Sequence, residues 1–312
     1  MSKIAFVFPG QGSQFVGMGR DFYEKEPAAN AVFVAADHAL GFSLSSLCFE
    51  GPEDQLRLTE NTQPAILTTS IALLRVLQEK ISITPDFTAG HSLGEYSALV
   101  AAGAIRFEDA VRTVRARGQF MEQAVPAGKG AMSAVMGMER EALTQICDKI
   151  TEEGSPVQLA NMNCPGQIVI SGSAEGVQQA GEEAKTQGAR RVIPLNVSGP
   201  FHSMLMEPAA VKLADTLKQC ELKDASVDVV ANVTARSVRS KEEIEQSLID
   251  QVSSPVLWED TVRYMLEQGV DTFIEIGPGN VLSGLVKKVD RKVKTLSIQD
   301  IESLEKAIQE LV

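Results

Sequence analysis

Four cysteines, three histidines and one tryptophan are all that this 312-residue chain offers of the residues that build disulfides, metal sites and stacking platforms. Cys48, Cys147, Cys164 and Cys220 are scattered without a CxxC pair. That spacing suits neither a zinc site nor a disulfide framework, and a reducing compartment is expected. There is no HExxH, so no metal is expected. Long apolar runs are missing too. The longest, Tyr96 to Ile105, is about half the ~20 residues a membrane-spanning helix needs. Met1-Ser2-Lys3 leads straight into an apolar run with no signal-peptide pattern, which points to the cytoplasm. Positive charge is scarce: 29 Lys and Arg face 41 Asp and Glu, a net charge of −12. That balance argues against nucleic acid or an anionic membrane as partner. An acidic partner would have to dock on a local basic patch. Arg190-Arg191 and Lys287-Lys288 with Arg291-Lys292 are the visible clusters, each of which also reads as an ordinary solvated face. The oligomeric state is open, and a monomer is the default.

The length favours two cores, or one core with an insertion. Lys3 to Phe8 reads as a buried strand stopped by Pro9-Gly10. The loop Gly10-Gln11-Gly12-Ser13-Gln14 follows. It is not a dinucleotide fingerprint, because Phe15 stands where the third glycine belongs, and it has no P-loop lysine. Helical patterns run to about residue 50 and again from Thr62 to Lys80. Phe87 to Gly90 reads as a strand, and Leu93 to Ala102 and Phe107 to Val125 as helices. After Gly128-Lys129-Gly130 the rhythm changes to strand, helix, two strands, helix, strand, ending near Leu195. That order is the split βαβ, or ferredoxin-like, unit. Helices then dominate until a strand at Thr272 to Ile276, closed by Gly277-Pro278-Gly279. The expected fold is α/β: an α/β-hydrolase-like main domain, 1–128 and 199–312, interrupted by a ferredoxin-like subdomain, 129–198, with a cleft between them.

Gly90-His91-Ser92-Leu93-Gly94 falls between the strand and the helix. This GxSxG pattern is the nucleophile elbow, whose small neighbours permit a strained turn. Ser92 then sits at a helix N-terminus, where free N–H groups favour developing negative charge. A serine nucleophile needs a base. His91 is adjacent and is expected to point to the opposite face, and the pattern around His38 places it on a helix surface. His202, after Gly199-Pro200-Phe201, lies where the subdomain returns to the main domain, and is the candidate. The N–H of Leu93 and the Gly10-Gln11-Gly12 loop are candidate oxyanion donors. On the helix from Phe107, Arg117 lies near the apolar stripe while Arg112 faces away. A buried guanidinium wants a carboxylate. Helix geometry alone leaves two sources open, an internal ion pair, which it favours, and a substrate carboxylate.

Five motifs lie in one order and spacing: Pro9-Gly10-Gln11-Gly12-Ser13-Gln14, Gly90-His91-Ser92-Leu93-Gly94-Glu95-Tyr96, Arg115-Ala116-Arg117-Gly118, Gly199-Pro200-Phe201-His202-Ser203 and Glu275-Ile276-Gly277-Pro278-Gly279. In these, the chain resembles the malonyl-CoA:acyl carrier protein transacylases of fatty-acid synthesis over almost its whole length. The resemblance implies that Ser92 carries a malonyl ester, that His202 is its base and that the backbone carbonyl of Gln251 orients the histidine. It implies that Arg117 holds the malonyl carboxylate and that Gln11 and Leu93 form the oxyanion hole. Gln63, Asn161 and Gln167 match positions near the cleft. Phe201 is expected to crowd an α-methyl group. The substrates would be malonyl-CoA and phosphopantetheinylated acyl carrier protein, with no permanently bound cofactor. A thioesterase fits the elbow equally well, a polyketide-pathway acyltransferase shares the chemistry, and a non-catalytic carrier-protein-binding module is the further alternative.

Overall fold

The structure, a computed structural model, describes residues 2–311. Its strands are β1 (Lys3–Phe8), β2 (Phe87–Gly90), β3 (Gly130–Met136), β4 (Val157–Cys164), β5 (Gln167–Ser173), β6 (Arg191–Pro194), β7 (Asp228–Val230), β8 (Ser237–Val238), β9 (Val270–Ile276) and β10 (Lys294–Ile298). They form two sheets. The six-stranded sheet has the order β10-β9-β1-β2-β7-β8. It is parallel from β10 through β7, and β8 closes its edge as an antiparallel strand. The four-stranded sheet has the order β4-β5-β3-β6, with every pair antiparallel.

Side-chain alternation explains how the large sheet is buried on both faces. Phe6 and Phe8 of β1 join one core with Ile274 and Ile276 of β9. Ala5 and Val7 point the other way, into a core with Phe87, Ala89, Trp258 and Phe273. The small sheet follows the same logic. Val135, Leu159 and Ile170 meet Leu143, Ile146 and Val177 of its two helices, Arg140–Glu152 and Ala174–Thr186. Met132, Ala134, Ala160 and Val169 face the opposite way and join the main core. The small sheet is thereby packed onto the large unit. Where the chain crosses between them the two passages touch: a Cβ on Gly130 would collide with the Pro200 ring.

The strand order places the site. From β1 the chain builds outward through β2 to β7, then returns to add β9 and β10 on the other side. Ligands in open parallel sheets lie beyond the carboxyl ends of the strands, near such a reversal. The loop after β1 carries Gln11 and the turn after β2 carries Ser92.

Several element boundaries differ from the sequence reading. The long helix is Thr59–Lys80 and starts three residues earlier than Thr62, with Pro64 inside it. Glu122 Oε1 accepts the Thr59 N–H at 2.8 Å and caps the helix from a distance. Pro64 supplies no N–H to the Glu60 carbonyl, which instead accepts from Arg115 Nη1 at 3.5 Å. Strands β7 and β8 fall in the region expected to be helix-rich, and β10 carries no expectation from the sequence. They are short, and β8 and β10 are edge strands with little periodic signal. Among the described residues no helix is long and apolar enough to cross a membrane.

Candidate active site

The strand β2 delivers the chain to Ser92, whose φ of 51° lies in the left-handed region. A side chain pays steric strain there, so the turn has to be held. Close packing begins the job. A Cβ on Gly90 would strike the backbone of Gly94, and a Cβ on Gly94 would strike the Phe8 carbonyl. These glycines are required by contact and not by their own φ. Asn232 completes the hold. Its Oδ1 accepts the Ser92 N–H at 2.7 Å, and its Nδ2 donates to the Gly90 carbonyl at 2.7 Å.

His202 is also left-handed, with φ 57°, and is buried. Its Nδ1 lies 2.8 Å from the Gln251 carbonyl. A carbonyl can only accept, so Nδ1 carries the ring proton. Nε2 is left with a lone pair facing Ser92 Oγ at 2.8 Å. Burial lowers the imidazole pKa to about 3, and the Arg117 charge adds to the shift. The ring is therefore neutral and able to take a proton. His91 does not compete: its Nε2 is 2.8 Å from Asn163 Oδ1. His38 is exposed on its helix.

Arg117 is 1 % exposed, as the helical stripe requires. Gly118 makes its position possible, because a Cβ there would meet the Glu60 backbone at 2.7 Å. The helix Phe107–Ala124 thus lies close against Thr59–Lys80. Arg117 Nη1 donates to Gln63 Oε1 at 2.8 Å. Nη2 donates to Gln251 Oε1 at 2.8 Å and to Ser92 Oγ at 3.1 Å. Its partners are neutral, and among the described residues no carboxylate forms a salt bridge with it. The internal ion pair favoured by helix geometry is therefore not what the structure contains.

Behind the elbow lies Glu95, 2 % exposed. Its Oε2 accepts the Asn232 N–H at 2.9 Å and Gln251 Nε2 at 2.8 Å. Burial pushes its pKa up to about 7, against the pull of those donors and of Arg117. Gln251 Nε2 also reaches the Ser92 carbonyl at 3.1 Å. Gln251 thus touches the histidine, the arginine, the glutamate and the serine turn at once.

Ser92, His202, Arg117, Gln11, Asn161 and Phe201 line one cavity of about 110 Å³. That is well below the roughly 300–1,000 Å³ of drug-sized ligand sites, and fits a short acyl group. Gln63 and Gln251 lie beside it, holding Arg117. Gln167 does not reach it. It lines an adjoining chamber of about 190 Å³ with Asn163, Leu282 and Leu285, and accepts from Lys288 Nζ at 3.1 Å. Gln11 borders both chambers and a wider mouth beyond Val197 and Ser198. Among the described residues the N–H groups of Gln11 and Leu93 make no hydrogen bond. No group of three or more His, Cys, Asp or Glu is arranged among those residues to hold a metal. Glu95 and Asn232 went unread in the sequence. Glu95 stands in the serine motif, but its partners lie more than a hundred residues away.

The family model described as an acyl transferase domain matches residues 5–308. The chain belongs to the acyl transferase domain family. Among members of this family, the chain is 62 % identical to the malonyl CoA-acyl carrier protein transacylase of Bacillus subtilis over 311 residues, covering 100 % of this chain and 98 % of that one. It is 47 % identical to the Staphylococcus aureus (strain MRSA252) protein of the same name, covering 97 % of this chain and 98 % of that one. A solved acyl carrier protein S-malonyltransferase from Vibrio cholerae superposes with a TM-score of 0.96 at 44 % identity, covering 98 % of this chain and 100 % of that one. A malonyl-transacylase solved in complex with its type II PKS acyl-carrier protein gives the same TM-score and identity, covering 99 % and 100 %.

Proposed function

We propose that this acyl transferase moves a malonyl group from malonyl-CoA to the phosphopantetheine thiol of acyl carrier protein through an ester on Ser92. The transfer supplies malonyl units for fatty-acid chain elongation. One observation carries the reading. A buried arginine that no carboxylate among the described residues salt-bridges stands 3.1 Å from the candidate nucleophile, in a cavity sized for a short acyl group. A dicarboxylic acyl group brings the missing negative charge with it. The activity named for the relatives is the same one.

The geometry supports a two-step exchange. The malonyl carboxylate meets Arg117, and its thioester carbonyl lies over Ser92. His202 Nε2 takes the Oγ proton as Oγ attacks, while Nδ1–H stays on the Gln251 carbonyl and steadies the ring. Charge gathers on the former carbonyl oxygen, within reach of the Leu93 and Gln11 N–H groups. The C–S bond breaks, the sulfur takes the proton from His202, and coenzyme A leaves. The carrier thiol repeats the steps in reverse, giving its proton to His202. One thioester is exchanged for another, so the reaction needs no nucleotide. Phe201 narrows the cavity against an α-methyl substituent.

The order β4-β5-β3-β6, with two helices on one face, supports a ferredoxin-like subdomain over 129–198. The parallel sheet with its elbow supports a hydrolase-like main domain over 1–128 and 199–312.

Intact-protein mass spectrometry after incubation with malonyl-CoA tests the reading. One malonyl adduct is expected on the wild type, none on Ser92→Ala, and far less on Arg117→Ala. Undiminished labelling of Ser92→Ala sinks the assignment. Free malonate as the main product in the presence of carrier protein would favour a hydrolase. The same assay with methylmalonyl-CoA reads Phe201: an adduct formed as fast as with malonyl-CoA removes its proposed role.

A further inference from the structure

Glu95 lies directly behind the nucleophile, yet the reaction above does not use it. Both hydrogen bonds that its carboxylate accepts fall on one oxygen, Oε2, from the Asn232 N–H and from Gln251 Nε2. The second of these fixes more than a contact. The Gln251 amide has a donating end and an accepting end. Nε2 donates to Glu95 and to the Ser92 carbonyl, which leaves Oε1 to accept from Arg117 Nη2 at 2.8 Å. Turned over, the amide would set its oxygen against the carboxylate and its NH₂ against the guanidinium. With the carboxylate ionised neither contact can form a hydrogen bond, the amide oxygen would also face the Ser92 carbonyl in place of a donor, and all the groups are buried. The other hold on Arg117 is weaker in this respect. Among the described residues Gln63 Nε2 is anchored only to Met121 Sδ, at 3.6 Å, and a thioether is a weak acceptor.

We infer that Glu95 is a positioning residue for acyl-group selectivity: by fixing which way the Gln251 amide faces, it aims the Arg117 guanidinium at the far carboxylate of the acyl group. This rests on the reading of Arg117 given above. It differs from a purely structural role. If Glu95 served only to hold the Ser92 turn through Asn232, its loss would slow every acyl substrate alike. As an aiming device it acts on substrates that carry a second carboxylate.

The test is the ratio of kcat/KM for malonyl-CoA to that for acetyl-CoA, measured as acylation of the full-length protein. Glu95→Ala lowers this ratio about tenfold, chiefly through KM for malonyl-CoA, because a displaced binding group loses its effect steeply with distance. Glu95→Gln keeps most of the ratio, since one amide oxygen can accept both hydrogen bonds. Gln251→Met, which retains the backbone carbonyl under His202, loses the ratio as Glu95→Ala does, and the double variant loses no more than either. Should Glu95→Ala fail to fold, Gln251→Met and Glu95→Gln carry the same comparison. Equal losses for both substrates in Glu95→Ala and Gln251→Met overturn the inference. Arg117→Ala separates the two levels. If it collapses the ratio while the Glu95 and Gln251 variants do not, only the role of Glu95 falls. If it leaves the ratio intact, the reading of Arg117 falls as well.

Discussion

A proton is unwelcome on His202, and that has a measurable cost in acid. In the unfolded chain the imidazole protonates near 6.5, whereas burial and the Arg117 charge hold the folded ring neutral down to about 3. Below 6.5 the unfolded state binds the extra proton. The contribution of the neutral ring is intact above 6.5 and is lost as pH falls toward 3. Between pH 6.5 and 5, urea unfolding should show the wild type losing about 1.5 kcal/mol more than His202→Gln. Equal acid losses in the two proteins would contradict the burial of a neutral imidazole. At this scale the sequence was legible where the signal was local or the choice small. Ser92 was marked by its flanking glycines, His202 by the scarcity of histidines, and Arg117 by its place on a helical stripe. Glu95 and Asn232 were not legible, because their pairing spans 137 residues and no periodicity joins a helix start to a hairpin turn.

Elements were readable in proportion to their length and alternation. Strand β1 has the bounds that its composition predicts, and the helix Phe107–Ala124 falls one residue short of the expected end. The start of Thr59–Lys80 was hidden because its cap is supplied by Glu122, on another helix. Gly118 is the hinge of that helix pair, and its role is steric. Gly118→Ala forces a methyl group against the Glu60 backbone. Overpacking of this kind costs about 1–3 kcal/mol, and it pushes Arg117 away from Gln63 and Ser92. The expected result is a lower Tm together with slower malonylation of Ser92. An unchanged Tm with full activity would show that the two helices yield without cost.

For the whole molecule, net charge and local charge pull in different directions. A chain of net charge −12 repels an acidic carrier except where its cations gather. Arg191 on β6 pairs with Met136 on β3, which pairs with Gln167 on β5, which accepts from Lys288. Arg190, Arg191 and Lys288 therefore share one end of the small sheet, beside the chamber that adjoins Ser92. Lys287 is partly spent on the carbonyls of Arg291 and Val293. Reversing the charge of Arg190, Arg191 and Lys288 should raise KM for the carrier protein about tenfold at low ionic strength, with the difference shrinking in salt. An unchanged KM at low salt removes the proposal that these three cations dock the carrier protein. The paired-sheet layout was legible from the change of rhythm near Gly128, since strand and helix periods report local burial; how the sheets face each other was not, because that depends on contacts between distant strands.

The touch of Gly130 against Pro200 has a practical reading. The two passages of chain into and out of the small unit lie side by side, so that unit could be exchanged between relatives at a single suture. Met132, Asn161, Leu195 and Val197 would travel with the graft and rebuild the roof over the acyl group. Ser92, His202, Arg117 and Gln251 would stay behind in the host. The graft would thus reshape the walls of the acyl cavity, while Phe201, Arg117, Glu95 and Gln251, which set the choice of acyl group, stay in the host with the chemistry.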